Sequence, residues 1–186
     1  MIKESKKVHV MKEEVDMIIF DENEHFLEYE YNYNIAEKKA IREEIEFKDN
    51  ITIDEIRRIA LWKYDRIIEV DHDLLEQLAE LKNIRELNIE DDIVKSILES
   101  LVDSTGIGYP LASTILKFLR PDVFPIIDVR AYRALFGKKI QYQQYSYDIY
   151  VTYCKRVYEI QDKLKLPLSI IDEQLYEFDK KCNGLI

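Results

Sequence analysis

Two short stretches of this 186-residue chain have residue types and spacing suited to chemistry: Gly106-Ile107-Gly108 and, twenty residues after its second glycine, Asp128. Bare backbone N–H groups at the start of a helix bind anions, and a turn built from two glycines lets the backbone of a strand approach without side chains in the way. Phosphate is therefore the natural ligand of Gly106, Ile107 and Gly108, although an ordinary helix-to-helix turn accounts for the same residues. Asp128 follows the apolar extended run Phe124-Pro125-Ile126-Ile127 and precedes a short helix from Val129 to Phe136 that Gly137 closes. It stands where an N-cap belongs, a role worth about 1 kcal/mol.

The elements that must hold these residues are helices. Ile93, Val94, Ile97, Leu98, Leu101 and Val102 recur on one face before the glycines. Leu111, Ala112, Ile115, Leu116 and Leu119 do so after them, with Pro110 in the first turn and Arg120-Pro121 as the stop. The turn between is so short that the two helices form a tight hairpin with Ile107 plugged into the core. Thr52-Ile53-Asp54-Glu55 is a capping box that opens a helix carrying Ile56, Ile59, Ala60 and the only tryptophan, Trp62. Further helices are expected at 35–47, 73–82, 91–103, 146–165 and 169–182, the last capped by Ser169. Residues 1–34 read as an irregular arm. Tyr29, Tyr31, Tyr33 and Ile35 alternate with polar residues as in a half-buried strand, and aromatics so spaced serve core packing more often than base stacking. The expected architecture is mainly α, a single globular helical domain over 1–186 with the hairpin core at 91–137.

The order helix, G-I-G, helix, apolar run, Asp, helix resembles the helix-hairpin-helix superfamily of DNA base-excision glycosylases. The resemblance implies a helical two-lobed fold with a helix-hairpin-helix motif, duplex DNA as partner and Asp128 as the catalytic carboxylate. It implies a carboxylate that steadies an oxocarbenium-like sugar or prepares the attacking water. The family hairpin usually carries Leu-Pro before its first glycine, where this chain has Ser104-Thr105. Bifunctional members have a lysine two residues after the second glycine, and Pro110 stands there. A monofunctional N-glycosylase without a lyase step is the enzyme so implied. The stretch Trp62-Lys63-Tyr64-Asp65-Arg66, ahead of a hairpin with Gly106, Pro110, Ala112 and Ser113, is also similar to a poorly characterised branch of the superfamily that has no firm activity. In a glycosylase, Trp62, Lys63, Arg66 and Tyr109 would line a base pocket, while Lys117, Arg130 and Arg133 would join the hairpin on DNA. Trp62 is equally a core anchor between lobes, and the arginines equally partners of nearby acids. The alternative function is a non-catalytic module that binds DNA or a protein, with Asp128 as a cap only.

Charge pulls against nucleic acid. The net charge is −10, whereas phosphate contacts come from Lys and Arg. From Asp103 to Lys139, however, Lys117, Arg120, Arg130, Arg133, Lys138 and Lys139 face only Asp103, Asp122 and Asp128, a local excess of three positive charges. Cys154 and Cys182 have neither metal-ligand nor disulfide spacing, and His9, His25 and His72 are isolated, so no metal, iron–sulfur cluster or other cofactor is expected. The first residues lack an apolar signal region and no run is long enough to span a bilayer, which predicts a cytoplasmic protein without a membrane partner.

Overall fold

Helix α5, Tyr109–Leu119, is the axis of the molecule: every residue from Leu111 to Leu119 is buried, Ser113, Thr114 and Lys117 among them. The computed structural model describes residues 17–31, 35–64 and 68–184. Among these, eight α-helices occur and no strand: α1 Ile35–Glu46, α2 Ile53–Tyr64, α3 His72–Asn83, α4 Asp92–Asp103, α5, α6 Val129–Phe136, α7 Tyr147–Leu164 and α8 Leu168–Cys182. The chain is mainly helical, as its periodicity predicts. Helices α1 to α4 pack around α5, α6 lies against α8, and α7 bridges α8 and α4.

Local chemistry explains the boundaries. Glu55 accepts from the Thr52 backbone N–H at 2.8 Å, as in a capping box, and Thr52 Oγ1 accepts from the Asp54 N–H at 3.2 Å, so the two side chains together open α2. Asp71 caps α3 through the Leu74 N–H, and Ser146 caps α7 through the Ile149 N–H. Gly137 ends α6 with φ +67°, in the left-handed region that side-chain-bearing residues avoid. The last helix differs from expectation. It begins at Leu168 after Pro167, so Ser169 lies inside the first turn and gives it no cap. Proline, with φ already near helical values and no N–H to satisfy, serves there instead.

The described part of the arm is irregular, as the sequence predicts, and Tyr29 lies in neither helix nor strand. Its N–H donates to Gln174 Oε1 at 2.6 Å and its carbonyl accepts from Gln174 Nε2 at 2.8 Å, so one carboxamide on α8 takes the place of a neighbouring strand. Tyr33 and residues 1–16 lie outside the described residues. Earlier in the arm, Phe20 is buried edge-on against Phe178, with ring centroids 5.4 Å apart.

Between α5 and α6 the chain runs extended through the core from Phe124 to Asp128. A buried extended segment without a sheet must satisfy its backbone with side chains. Three tyrosines of α7 do so: Tyr158 donates to the Val123 carbonyl, Tyr150 to Pro125 and Tyr153 to Ile126. On the other edge, the Ile126 N–H donates to Asp172 Oδ2 and the Ile127 N–H to Ser113 Oγ. This segment fixes the position of Asp128.

Candidate active site

Asp128 caps α6 with one oxygen. Its Oδ1 accepts from the Arg130 N–H at 2.7 Å and the Ala131 N–H at 2.8 Å, and Oδ2 takes no part in the cap. The carboxylate is thus anchored at a helix N-terminus, where the positive end of the helix dipole favours its charge.

Around it lies a partly buried ionic centre assembled from five elements. Lys117 of α5, only 5% exposed, reaches Asp172 at 2.7 and 2.9 Å and Glu173 at 3.0 Å, both on α8. Lys38 of α1 also pairs with Glu173. From α2, Lys63 brings an amine whose strongest charged neighbours are, in order, Asp128, Asp172, Lys117 and Glu173. Tyr31 of the arm closes the group. Its ring lies 5.0 Å from the Lys38 ammonium and 6.3 Å from the Tyr176 ring, and the Arg130 guanidinium stands 5.6 Å from Tyr176.

Burial and charge set the protonation of these groups in opposite directions. Burial works against the Lys117 ammonium, but Asp172 and Glu173 outweigh it and raise its pKa. Burial raises Asp172 despite Lys117, whereas for Glu173 the two ammoniums of Lys117 and Lys38 overcome burial and hold the carboxyl below its usual range. Lys63 is lowered, because desolvation of its amine exceeds the pull of Asp128 and Asp172. Burial likewise pushes the Tyr31 hydroxyl well up, helped by Glu173, Asp172 and Asp128.

The glycine turn is another place altogether. Gly106 has φ +80° and Ile107 is 4% exposed, so the turn is tight and its isoleucine is in the core. Gly108 opens α5, its carbonyl accepting from Leu111 and Ala112. The predicted bare face is roofed: a Cβ on Gly108 would stand 3.3 Å from the ring of Tyr142, in the 3-10 turn Tyr142–Gln144. Nearby, Tyr109 stacks on Tyr145 at 6.1 Å, and after burial the charges that raise its hydroxyl are those of Glu99, Asp103 and Asp148. Tyr142, Tyr145 and the acids Glu99, Asp103 and Asp148 are thus among the described neighbours of the turn and of Tyr109.

Several residues assigned from sequence therefore part company. Asp128 and Lys63 come within electrostatic reach of each other, and Lys63 follows Trp62 on α2. Trp62 is 3% exposed and packs edge-on against Phe118 at 5.4 Å, a core anchor whose edge borders a hollow of about 290 Å³, open mouth included, shared with Ile126, Lys117 and Arg42. Tyr109 is not in that pocket: nine residues of helix separate it from Phe118, about 13 Å. Lys117 does not face DNA, because its ammonium is consumed by two buried carboxylates. Arg133 is wholly buried, its guanidinium held by both oxygens of Asp179 at 2.7 Å. Arg130 also meets Asp179, at 3.2 Å, and donates to the Gly184 carbonyl. Arg66 lies outside the described residues.

Sequence reasoning missed Tyr31, Lys38, Asp172, Glu173 and Asp179. For α8 a signal existed: Asp172 and Asp179 each follow an apolar core residue, Leu168 and Leu175, by four positions, which sets acids beside the buried stripe. Among the described residues no group of His, Cys, Asp and Glu is arranged to hold a metal ion, and no helix is long and apolar enough to cross a membrane. Compared with protein-family models, curated proteins and solved structures, the chain matches none of them.

Proposed function

We propose that the chain is a monofunctional N-glycosylase of the helix-hairpin-helix type, removing a damaged base from duplex DNA with Asp128 as its carboxylate. The observation that carries this reading is the Asp128 carboxylate itself: anchored through Oδ1 at a helix start and within electrostatic reach of Lys63 and Tyr31. Breaking a C1′–N bond leaves positive charge on the sugar, and an immobilised carboxylate in a poorly solvated cleft stabilises that charge without reorganising. Pro110 in the hairpin supplies no amine, so release of the base is the hairpin's last contribution.

The test is release of free base, followed by chromatography, from duplexes carrying uracil, hypoxanthine, an alkylated purine or 8-oxoguanine. The wild type should release one of them, and Asp128→Asn should be slower by roughly 100-fold or more. Equal rates in the two proteins would remove Asp128 from the chemistry.

A second reading, a module that binds without catalysis, is favoured by the acids Glu99, Asp103 and Asp148 beside the turn and by the internal pairing of Lys117 and Arg133. It predicts no base release from any substrate. If its ligand is DNA, duplex affinity falls steeply with salt; if a protein, no salt-dependent duplex binding is seen.

A further inference from the structure

We propose that a second cleft, at the C-terminal end of α5, binds a small amphipathic anion: a carboxylate or phosphate carried on an apolar body about one ring in size. The proposal does not depend on the N-glycosylase reading, because Asp128 is not among the residues that wall this cleft.

One face of α1 lays out the site. Lys38, Arg42 and Glu46 are spaced four apart and stand one above another on the helix, with Ile45 beside them. Lys38 borders the hollow next to Trp62 and is held by Glu173. One turn on, Arg42 borders both that hollow and the second cleft, as do Phe118 and Pro121. The second cleft is the larger, about 550 Å³ with its open mouth included and about 230 Å³ of water-sized space within it. Its floor is apolar, formed by the buried side chains of Ile45, Phe118 and Leu119. A cavity of about 150 Å³ takes one benzene ring, so a ring and its oxyanion fit here.

Charge selects an anion. Among the described residues Arg42 enters no ion pair or hydrogen bond, unlike Lys38 and Lys117, which buried carboxylates consume. Lys82, near the end of α3, donates to the Ile45 carbonyl at 2.5 Å and to the Lys48 carbonyl. Those two bonds cover the negative end of α1, and they leave the ammonium with one N–H to give and no carboxylate against its charge. Among the described residues that wall the cleft, Glu46 is the only carboxylate; it is exposed and pairs with neither cation, so the balance stays positive. A guanidinium fork matches a carboxylate or phosphate through two parallel N–H bonds, and an apolar floor beside it takes the rest of the ligand. A cation would be repelled, and a neutral apolar molecule would leave the fork unused.

The cleft has its own reporter. Phe118 of its floor packs edge-on against Trp62 at 5.4 Å, and Trp62 is the only tryptophan. A ligand seated on Phe118 changes the packing around Trp62 and with it the emission.

The experiment titrates the full chain with phenyl phosphate and with benzoate, following heat and Trp62 emission. Benzyl alcohol and inorganic phosphate are the controls, each with half of the recognised chemistry. One of the two aryl anions should bind roughly 10-fold or more tighter than either control and shift the Trp62 emission. Arg42→Gln should weaken that anion by roughly 10-fold or more, and Arg42→Lys, which keeps the charge without the fork, by less. Because Arg42 is exposed and holds no partner among the described residues, thermal melts of both variants should match the wild type, which separates lost binding from lost folding. The proposal is overturned if neither aryl anion binds, if inorganic phosphate binds as well as phenyl phosphate, or if Arg42→Gln binds like the wild type. Duplex DNA is titrated alongside. Duplex binding that drops in Arg42→Gln where no aryl anion binds would make the cleft a contact for backbone phosphate and would equally overturn the small-ligand site.

Discussion

The two ends of α5 show how differently one helix can be equipped. At its N-terminal end the turn Gly106-Ile107-Gly108 is built from backbone, roofed by Tyr142 and flanked by Tyr109, Glu99, Asp103 and Asp148. Toward its C-terminal end Lys117 and Phe118 reach into the cleft, one to Asp172 and Glu173, the other to Trp62. Glycines and a hairpin attract attention in a sequence because they are rare. The buried charges collect at the other end, where ordinary residues from five elements converge. A motif marks where the backbone is special, whereas a site arises where charges must be reconciled with burial.

The comparison breaks most visibly at Lys117. Replacing it by Met leaves Asp172 and Glu173 buried without their shared ammonium, so Lys117→Met should lose about 3–5 kcal/mol in urea unfolding. A loss below about 1 kcal/mol would mean that Lys38 and Lys63 suffice for the acids. The same variant sharpens the pH dependence. Glu173 titrates below its ordinary value of 4.5 in the folded chain, so its contribution to stability is present above that value and lost as pH falls through the folded one. Asp172, raised by burial, acts in the opposite sense and is relieved by acid. Lys117→Met removes the largest influence that lowers Glu173, so its stability should fall less steeply in acid than that of the wild type.

Effects at the hairpin end should be smaller, and the two glycines should differ. Gly106→Ala places a side chain at φ +80° and should cost about 1–2 kcal/mol. Gly108 has φ −113°, which any residue adopts, and the nearest atoms its Cβ would meet belong to Tyr142, itself 71% exposed and able to swing aside. Gly108→Ala should therefore change stability by less than about 1 kcal/mol in either direction. Smallest of all, Tyr142→Ala should stay within about 0.5 kcal/mol. Equal costs for the two glycines in thermal melts would mean that the turn is held by contacts at both, not by the backbone of one.

Much of the fold was legible because helices announce themselves in one dimension. The periodic run at α4, Pro110 in the first turn of α5, the capping box at Thr52 and Glu55, and Asp128 and Gly137 bounding α6 are all local signals, and each element forms where they predict. The arm was legible as irregular, but how it is held was not. Alternation at Tyr29 and Tyr31 says that one face is buried, but not what the backbone bonds to, and here it bonds to the side chain of Gln174. The site was legible only in part. Asp128, Trp62 and Lys63 were visible as residues, but the partners of Lys117 and Arg133 stand 55 and 46 positions away on α8. A count of positive charges from Asp103 to Lys139 suggested a cationic surface. Four of those six cations, Lys117, Arg120, Arg130 and Arg133, instead neutralise Asp172, Glu173, Asp122 and Asp179.

Near the two ends of the described chain, Asn183 accepts from the Ile18 N–H and donates to the Ile18 carbonyl, across 165 positions of sequence. In mechanical terms that pair of bonds is a clasp on a nearly closed ring. A pull applied between residues 18 and 183 loads the clasp before it loads any helix. Once the clasp opens, the next holds along the arm are Phe20 on the Ala134 carbonyl, Glu22 on Arg156 of α7 and Tyr29 on Gln174 of α8, met one after another.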